Sequence, residues 1–526
     1  MILYPPPLTL KAKSRPDRNT IFGNFAPVDE LPPTACTVVE GSLPTCLDGA
    51  YIRNGPNPQF TPSGPYHLFD GDGMLHTIVI SQNNVTFCSR YVKTYKYMVE
   101  HKIGHPIFPS VFSSFNGLTS SIARSLITVA RLLTRQFDLL INGFGLANTS
   151  VALIGRRLFA LGESDLPYEI KVMSDGDVIT LGRHNFFSDE PFMSMTAHPK
   201  VDPETGEAFT FRYHVVRPYL TLFRIDANGK KQQDLPIFSM KTTSLIHHIA
   251  VTKNYVIFPD TQIVMSLTEI TKGRPPVRVD STKVPRVGII PRYAKDESEL
   301  LWIEAMGFNM MHCFNAREED DGEKIVMVVS NISCVEHALE RIDLARPRLE
   351  KVIINVKAKR LERHSLCDEI LDMGAINPSY AGKKSRYAYV GIVAQPMKLV
   401  GVVKIDLSTP DSSSRAVARR LFGPSCSGSE PFFVPREPDN PDAEEDDGYL
   451  IAYIHDENTQ ESKFIVMDAK SPTLEIVADV KLPGRVPTGF HGLFENDIYP
   501  LLVRIFVWAG TIKALILARI DSDNDS

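Results

Sequence analysis

Short apolar runs closed by polar turn signals dominate this chain. Residues 153–161, 251–259, 324–330, 387–394 and 449–454 are strand-like in length and rich in Val, Ile, Tyr and Phe, the residue types that fit a pleated, half-buried surface. Asp175-Gly176-Asp177, Glu204-Thr205-Gly206 and Asn228-Gly229 lie between such runs and are hairpin or tight-turn signals. The 32 glycines and 38 prolines punctuate the rest. Many short strands over this length predict an all-β fold of radial, repeated architecture such as a β-propeller. No clean repeated motif accompanies them.

Three segments break the pattern. Residues 116–141 read as a helix, with Leu118, Ile122, Leu126, Val129, Leu133 and Leu140 among its apolar positions and Arg124, Arg131 and Arg135 sharing a face. An apolar face beside a cationic one suits a helix lying on a membrane surface, or a helix packed on the β core with its arginines in solvent. Residues 435–448, with Glu444-Glu445-Asp446-Asp447, read as a solvated loop. Residues 501–520 are apolar over nearly the length of a membrane span, but Arg504 and Lys513 disfavour spanning. That segment is expected to pack on the last β unit as strand or helix, with Phe506 and Trp508 covering apolar surface.

Composition narrows the function classes. A 526-residue chain with 43% hydrophobic and 23% charged residues has the makeup of a large globular protein. A net charge of −5 argues against nucleic acid as the main partner. The 7 cysteines form no C-x-x-C pair and are odd in number, which favours a reduced interior over a disulfide scaffold. Residues 1–20 carry Lys11, Lys13, Arg15 and Arg18 without the apolar core of a secretory signal. They read equally as a transit-peptide remnant or a disordered basic terminus.

The chemistry concentrates in four histidines: His198 in Met195-Thr196-Ala197-His198-Pro199, His247 in Ile246-His247-His248-Ile249, His312 in Met311-His312-Cys313-Phe314, and His491 in Gly489-Phe490-His491-Gly492. Each sits among apolar or small residues, where a charged imidazole is costly and a neutral one can bind a transition metal. Any one alone would more often be a hydrogen-bonded core residue. Spread from 198 to 491, they can meet only in a fold that returns repeatedly to a common axis. An all-nitrogen set lacks the thiolates of structural zinc, and composition alone leaves the metal open. The remaining histidines, His76 and His455 among them, read as structural or surface residues.

Tyr51-Ile52-Arg53-Asn54-Gly55-Pro56-Asn57-Pro58, Phe69-Asp70-Gly71-Asp72-Gly73-Met74-Leu75-His76, Ser194-Met195-Thr196-Ala197-His198-Pro199-Lys200 and Glu430-Pro431-Phe432-Phe433-Val434-Pro435-Arg436-Glu437 resemble signature strings of the carotenoid cleavage dioxygenases, and of their plant class 4 in particular. The resemblance runs from about Asn24 to Phe494. It implies a seven-bladed β-propeller spanning 21–497, with a helical, membrane-facing cap formed by the insert 105–145. It also implies Fe2+ on the axis, held by His198, His247, His312 and His491, and three carboxylates, Glu163, Asp372 and Glu430, holding three of the imidazoles by their other N–H. An aspartate at 372 is typical of class 4. His248 is expected to face away from the metal, because adjacent strand residues point to opposite sides.

The implied activity is cleavage of one C=C bond of a carotenoid or apocarotenoid by O₂, at 9,10 or 9',10' or at 7,8, giving two carbonyl fragments. It would act as a monomer on a plastid lipid surface reached through 116–141. Phe192, Phe308, Phe314 and Phe433 are candidates for the substrate tunnel. Two alternatives stand beside this: a 9-cis-epoxycarotenoid dioxygenase of abscisic-acid synthesis, and a weakly active carotenoid-binding protein of plastid lipid bodies. After Phe494 the sequence departs from the family, so the tail 498–526 puts closure of the propeller in question.

Overall fold

The computed structural model describes residues 23–496 except 63–65, 110–111, 113–117, 135–138, 340–343, 395–397, 410–414 and 439. The basic N-terminus 1–20 and the tail 498–526, with Phe506 and Trp508, lie outside the described residues.

The fold is all-β. Sheets follow one another along the chain, each an antiparallel meander. The first contains Leu31–Ala35, Gly49–Pro56, Gly73–Ser81 and Asn84–Tyr91. Four-stranded sheets follow over 150–183, 200–237, 250–304 and 310–365, with a two-stranded ribbon, Ile263–Met265 and Val277–Val279, inserted in the third of these. The strands from Leu371–Ala375 to Ile476–Lys481 form one continuous ten-stranded network that also takes in Thr37–Gly41. The last described strand, Gly492–Glu495, pairs with Gly49–Pro56, setting Gly492 opposite Arg53 and Glu495 opposite Ala50. An early strand and the last described strand are thus joined at the point where the sequence departs from the family.

Alternation along the strands builds the core between successive sheets. Ile78 and Ile80 of the first sheet pack with Phe87 against Tyr449, Ile451 and Tyr453. Ile257, Val287 and Ile289 pack against Cys313, Ile325 and Met327 of the next sheet. The run 387–394 is one strand, as expected, whereas 153–161 is a hairpin. Gly155 and Arg156 both take positive φ, +55° and +63°, the two-residue turn whose twist matches the flanking strands. The turn lies at Gly155-Arg156, between the apolar pair Leu153-Ile154 and the apolar stretch that starts at Leu158.

The acidic segment is not a free loop. Glu445 accepts from the backbone N–H groups of Arg386 and Tyr387, Asp446 pairs with Lys404 at 2.6 Å and Asp447 with Arg436 at 3.0 Å. These acids tie neighbouring strands together.

Helices are few. Tyr95–Ile103, which the hydrophobic pattern did not mark, is capped by Thr94 accepting from Tyr97 N–H and stopped by Gly104 at φ +83°. The segment read as one helix over 116–141 contains Leu118–Leu133 and Leu139–Asn142. Leu126 is 65% and Val129 50% exposed, with Ile122 and Ile127 beside them. Arg131, expected to be a free cation in solvent, donates to the Ile107 carbonyl at 2.6 Å. The side chains of Arg124, Leu133, Arg135 and Leu140 fall outside the described set. Among the described residues no helix is long and apolar enough to cross a membrane.

Candidate metal centre

The four histidines converge, and each is carried at or beside a strand on the edge of its own sheet. His198 precedes Lys200–Val201, His247 precedes Ala250–Val251, His312 lies in Met310–Glu319, and His491 precedes Gly492–Glu495. Irregular register on both sides of His312 frees its side chain from strict alternation. One potential ligand atom from each of the four residues lies within 4.8 Å of the other three. The Nε2 atoms of His198 and His247 are 2.9 Å apart. Two imidazoles at right angles on one metal, each at about 2.1 Å, would stand about 3.0 Å apart. His312 Nε2 is buried with no hydrogen-bond partner, which costs free energy unless something accepts its lone pair. The donor set therefore fits a transition metal: four imidazoles, with no thiolate or carboxylate among the ligand atoms.

Burial and the surrounding histidines push His198 well below the ordinary histidine range. Burial also lowers His312, against the opposing pull of Asp372. Both are therefore neutral at physiological pH, the form that binds metal.

Behind three of the rings stand the three acids expected from the family resemblance. Glu163 accepts from His247 Nδ1, Asp372 from His312 Nδ1 at 2.7 Å, and Glu430 from His491 Nδ1 with both oxygens at 3.1 Å. Each places the ring proton on Nδ1 and turns the Nε2 lone pair toward the centre. Burial raises the Asp372 carboxyl, but His312 and the Met373 N–H outweigh it and leave the acid below its usual range. Tyr213, which no motif marked, donates to Glu163 at 3.0 Å, and burial keeps its hydroxyl protonated.

His198 has no carboxylate partner among the described residues. His248 stacks on its ring instead, with centroids 4.5 Å apart and planes at 23°, and accepts from Cys313 N–H at 3.3 Å through Nδ1. His248 stands outside the converging group, although it and His247 lie just ahead of the strand Ala250–Val251 and not within it.

A cavity of about 550 Å³ opens on one side of the centre. His247, His312, His491, Glu163 and Asp372 sit on its wall, and Phe69, Phe112, Phe490, Leu245, Ile263 and Met311 supply much of the apolar remainder. Phe144 and Leu267 line it as well and are 36% and 52% exposed, so they mark its mouth. A smaller pocket of about 330 Å³, lined by His198, His248, Lys200 and Glu430, lies on the other side.

None of the four phenylalanines expected to form the tunnel lines the large cavity. Phe192 packs edge-to-face on Phe223, Phe308 is buried within one inter-sheet core beneath Arg363, Phe314 packs beside another, and Phe433 stacks on Tyr389. Phe192, Phe308 and Phe314 are close to ligand candidates in sequence and Phe433 is close to Glu430, but their side chains turn into apolar cores. The cavity takes Phe490 from beside His491 and its other phenylalanines, Phe69, Phe112 and Phe144, from segments distant in sequence.

The family model described as retinal pigment epithelial membrane protein matches residues 25–496. The chain is 54% identical over 497 residues to a probable carotenoid cleavage dioxygenase 4, chloroplastic, of Arabidopsis thaliana, covering 93% of this chain and 83% of the relative. It is 51% identical over 488 residues to the 9-cis-epoxycarotenoid dioxygenase NCED1, chloroplastic, of Oryza sativa subsp. japonica, covering 91% and 76%. Among solved structures, a mutant of the Synechocystis apocarotenoid oxygenase superposes with a TM-score of 0.74 at 25% identity, covering 90% of this chain and 97% of that one.

Proposed function

This chain belongs to the carotenoid cleavage dioxygenase family, and we propose that it cleaves one C=C bond of a carotenoid or apocarotenoid with O₂, using Fe2+ held by His198, His247, His312 and His491. The observation that carries this reading is the placement of three of those histidines on the wall of a largely apolar cavity of about 550 Å³. Bound ferrous iron would supply the activation of dioxygen for its addition across the adjacent double bond.

The chain's own residues do the rest. Glu163, Asp372 and Glu430 hold the Nδ1 protons of His247, His312 and His491 and so fix ring orientation. His248 holds His198 by stacking. The apolar wall excludes water and fixes which bond lies beside the metal. The bond favoured is 9,10 or 9',10', or else 7,8.

The architecture best suited to this is a seven-bladed propeller over 21–497. Five discrete meanders, together with two further meanders within the ten-stranded network, support it, as does the pairing of an early strand with the last described one. The helical segment would form the cap. Its exposed Ile122, Leu126, Ile127 and Val129 would rest on a plastid lipid surface and bring the cavity mouth at Phe144 and Leu267 to the membrane-dissolved substrate, with the protein acting as a monomer. Chloroplastic names among the relatives support the compartment. The high identity to an enzyme named for 9-cis-epoxycarotenoids favours one second reading, cleavage of that class.

Incubation of the iron-loaded protein with β-carotene, a xanthophyll and a 9-cis-epoxycarotenoid, followed by identification of the fragments, decides between them. Fragments from the epoxide alone would replace the first reading with the second, and none from any of the three would reject both.

A further inference from the structure

Behind the loop that leads to His491, two arginines and two histidines lie together, and among the described residues neither arginine pairs with a carboxylate. They lie in the seam between the first sheet and the strands Gly448–Asp456 and Glu461–Asp468. Arg53 is 2% exposed. Its Nη2 donates to the Pro487 carbonyl at 2.7 Å, its plane faces the Tyr453 ring at 5.3 Å, and its Nε is buried with no partner. His76 is paired with Arg53 across adjacent strands, so the two side chains share a face. His76 is 1% exposed, and neither of its ring nitrogens has a partner. Tyr453 donates to the His76 carbonyl at 3.2 Å and links the two sides of the seam.

His455, two residues along the same strand, is also 1% exposed, with Nε2 unpartnered. Its Nδ1 meets Ser462 Oγ at 3.0 Å, and that oxygen accepts from Val486 N–H at 2.9 Å. When the serine donates to Nδ1, the imidazole proton sits on Nε2, which has no acceptor. Arg485 closes the group from outside. It is held by the carbonyls of Ala26 and Pro27 at 2.7 and 2.8 Å and by Asn24 at 3.4 Å. Among the described residues no carboxylate pairs with Arg53 or Arg485. Burial lowers both guanidinium groups, and Arg53 and Arg485 add their repulsion to the burial that lowers His76.

A buried guanidinium without an anion is strongly unfavourable, and a buried N–H without an acceptor adds to that cost. Water can satisfy a donor but cannot balance the charge. We propose that this seam binds one small monovalent anion, of the halide class, accepting hydrogen bonds from Arg53 Nε and from the His76 and His455 rings, with Arg485 and the segment Asn24–Pro27 as its cover. Because the seam joins the N-terminal segment, the first sheet and the loop leading to His491, the anion would act as a structural bolt there.

Crystals of the full chain soaked in sodium bromide test this directly. The expected result is an anomalous bromine peak within hydrogen-bonding reach of Arg53 Nε and the His76 ring; no peak, with only water density, overturns the proposal. In solution, the melting temperature should rise with the logarithm of chloride concentration when chloride replaces gluconate at fixed ionic strength. That rise should disappear in His76→Phe and persist in the surface control Lys481→Gln. Equal melting in the two salts, or an unchanged chloride response in His76→Phe, refutes the site. Should His76→Phe fail to fold, His455→Phe carries the same comparison and the bromide peak stands independently.

Discussion

Asp372→Asn isolates what a carboxylate behind a ligand histidine contributes. Asp372 Oδ1 accepts from His312 Nδ1 at 2.7 Å and from Met373 N–H at 2.9 Å, and the two side chains are 14% and 7% exposed. The acid is ionised, so the bond to His312 is charge-assisted. Such bonds contribute about 1.5–3 kcal/mol against about 0.5–1.5 kcal/mol for a neutral one. Asparagine keeps the size and one acceptor oxygen and loses only the charge, a difference of about 1–1.5 kcal/mol, or roughly tenfold in iron affinity. Asp372→Ala also leaves His312 Nδ1–H without its acceptor, and the loss should approach a hundredfold. Competition against a graded chelator, read as iron content per chain, measures both. The expected order is wild type, then Asn, then Ala, with the metal-free melting temperature of the Asn variant close to wild type. If both variants hold iron as tightly as wild type, Asp372 does not orient His312.

Three further outcomes follow from particular contacts. A Cβ at Gly489 would stand 2.7 Å from Arg53 Cζ, so Gly489→Ala should cost about 1–3 kcal/mol in thermal or urea melts and loosen the iron by displacing the loop that carries His491; unchanged melting and iron content would show that the loop yields freely. Leu126→Asp with Val129→Asp should abolish liposome flotation while leaving turnover of detergent-dispersed substrate near wild type, and retained flotation would place the lipid contact elsewhere. Burial raises the Glu319 carboxyl, but Lys324 and Arg317 outweigh it and hold it at about 2, against an ordinary 4.5. Its stabilisation is therefore complete above the ordinary value and lost as pH falls from 4.5 toward 2. Glu319→Gln should flatten that part of the acid-unfolding profile, and identical profiles would contradict the assignment.

The histidine cluster was more legible in the sequence than the cavity beside it, for a physical reason. Each of the four histidines sits in a short apolar or small-residue string, and the longer strings at 51–58, 69–76, 194–200 and 430–437 identify the family. Glu163, Asp372 and Glu430 carry no such mark, since an acid beside Gly or Pro looks like any surface charge; only the resemblance singled them out. Tyr213 had no signal, because its hydroxyl reaches Glu163 across two sheets. The cavity wall was harder to read: Phe308 and Phe314 lie near His312 in sequence but turn into the core, while Phe69, Phe112 and Phe144 come from distant segments. The helix at Tyr95–Ile103 escaped because its apolar positions do not fall on one stripe. The helix at Leu118–Leu133 was plain because they do.

Both oxygen atoms of O₂ should enter a polyene beside the four histidines. Iron-loaded protein given β-carotene under ¹⁸O₂ for a short interval, with the carbonyl products reduced at once to block exchange with water, tests it by mass spectrometry. The account expects two fragments, each carrying one ¹⁸O, and loss of both in His312→Ala. Labelling of only one fragment would contradict dioxygenase chemistry, and full cleavage by His312→Ala would contradict the site.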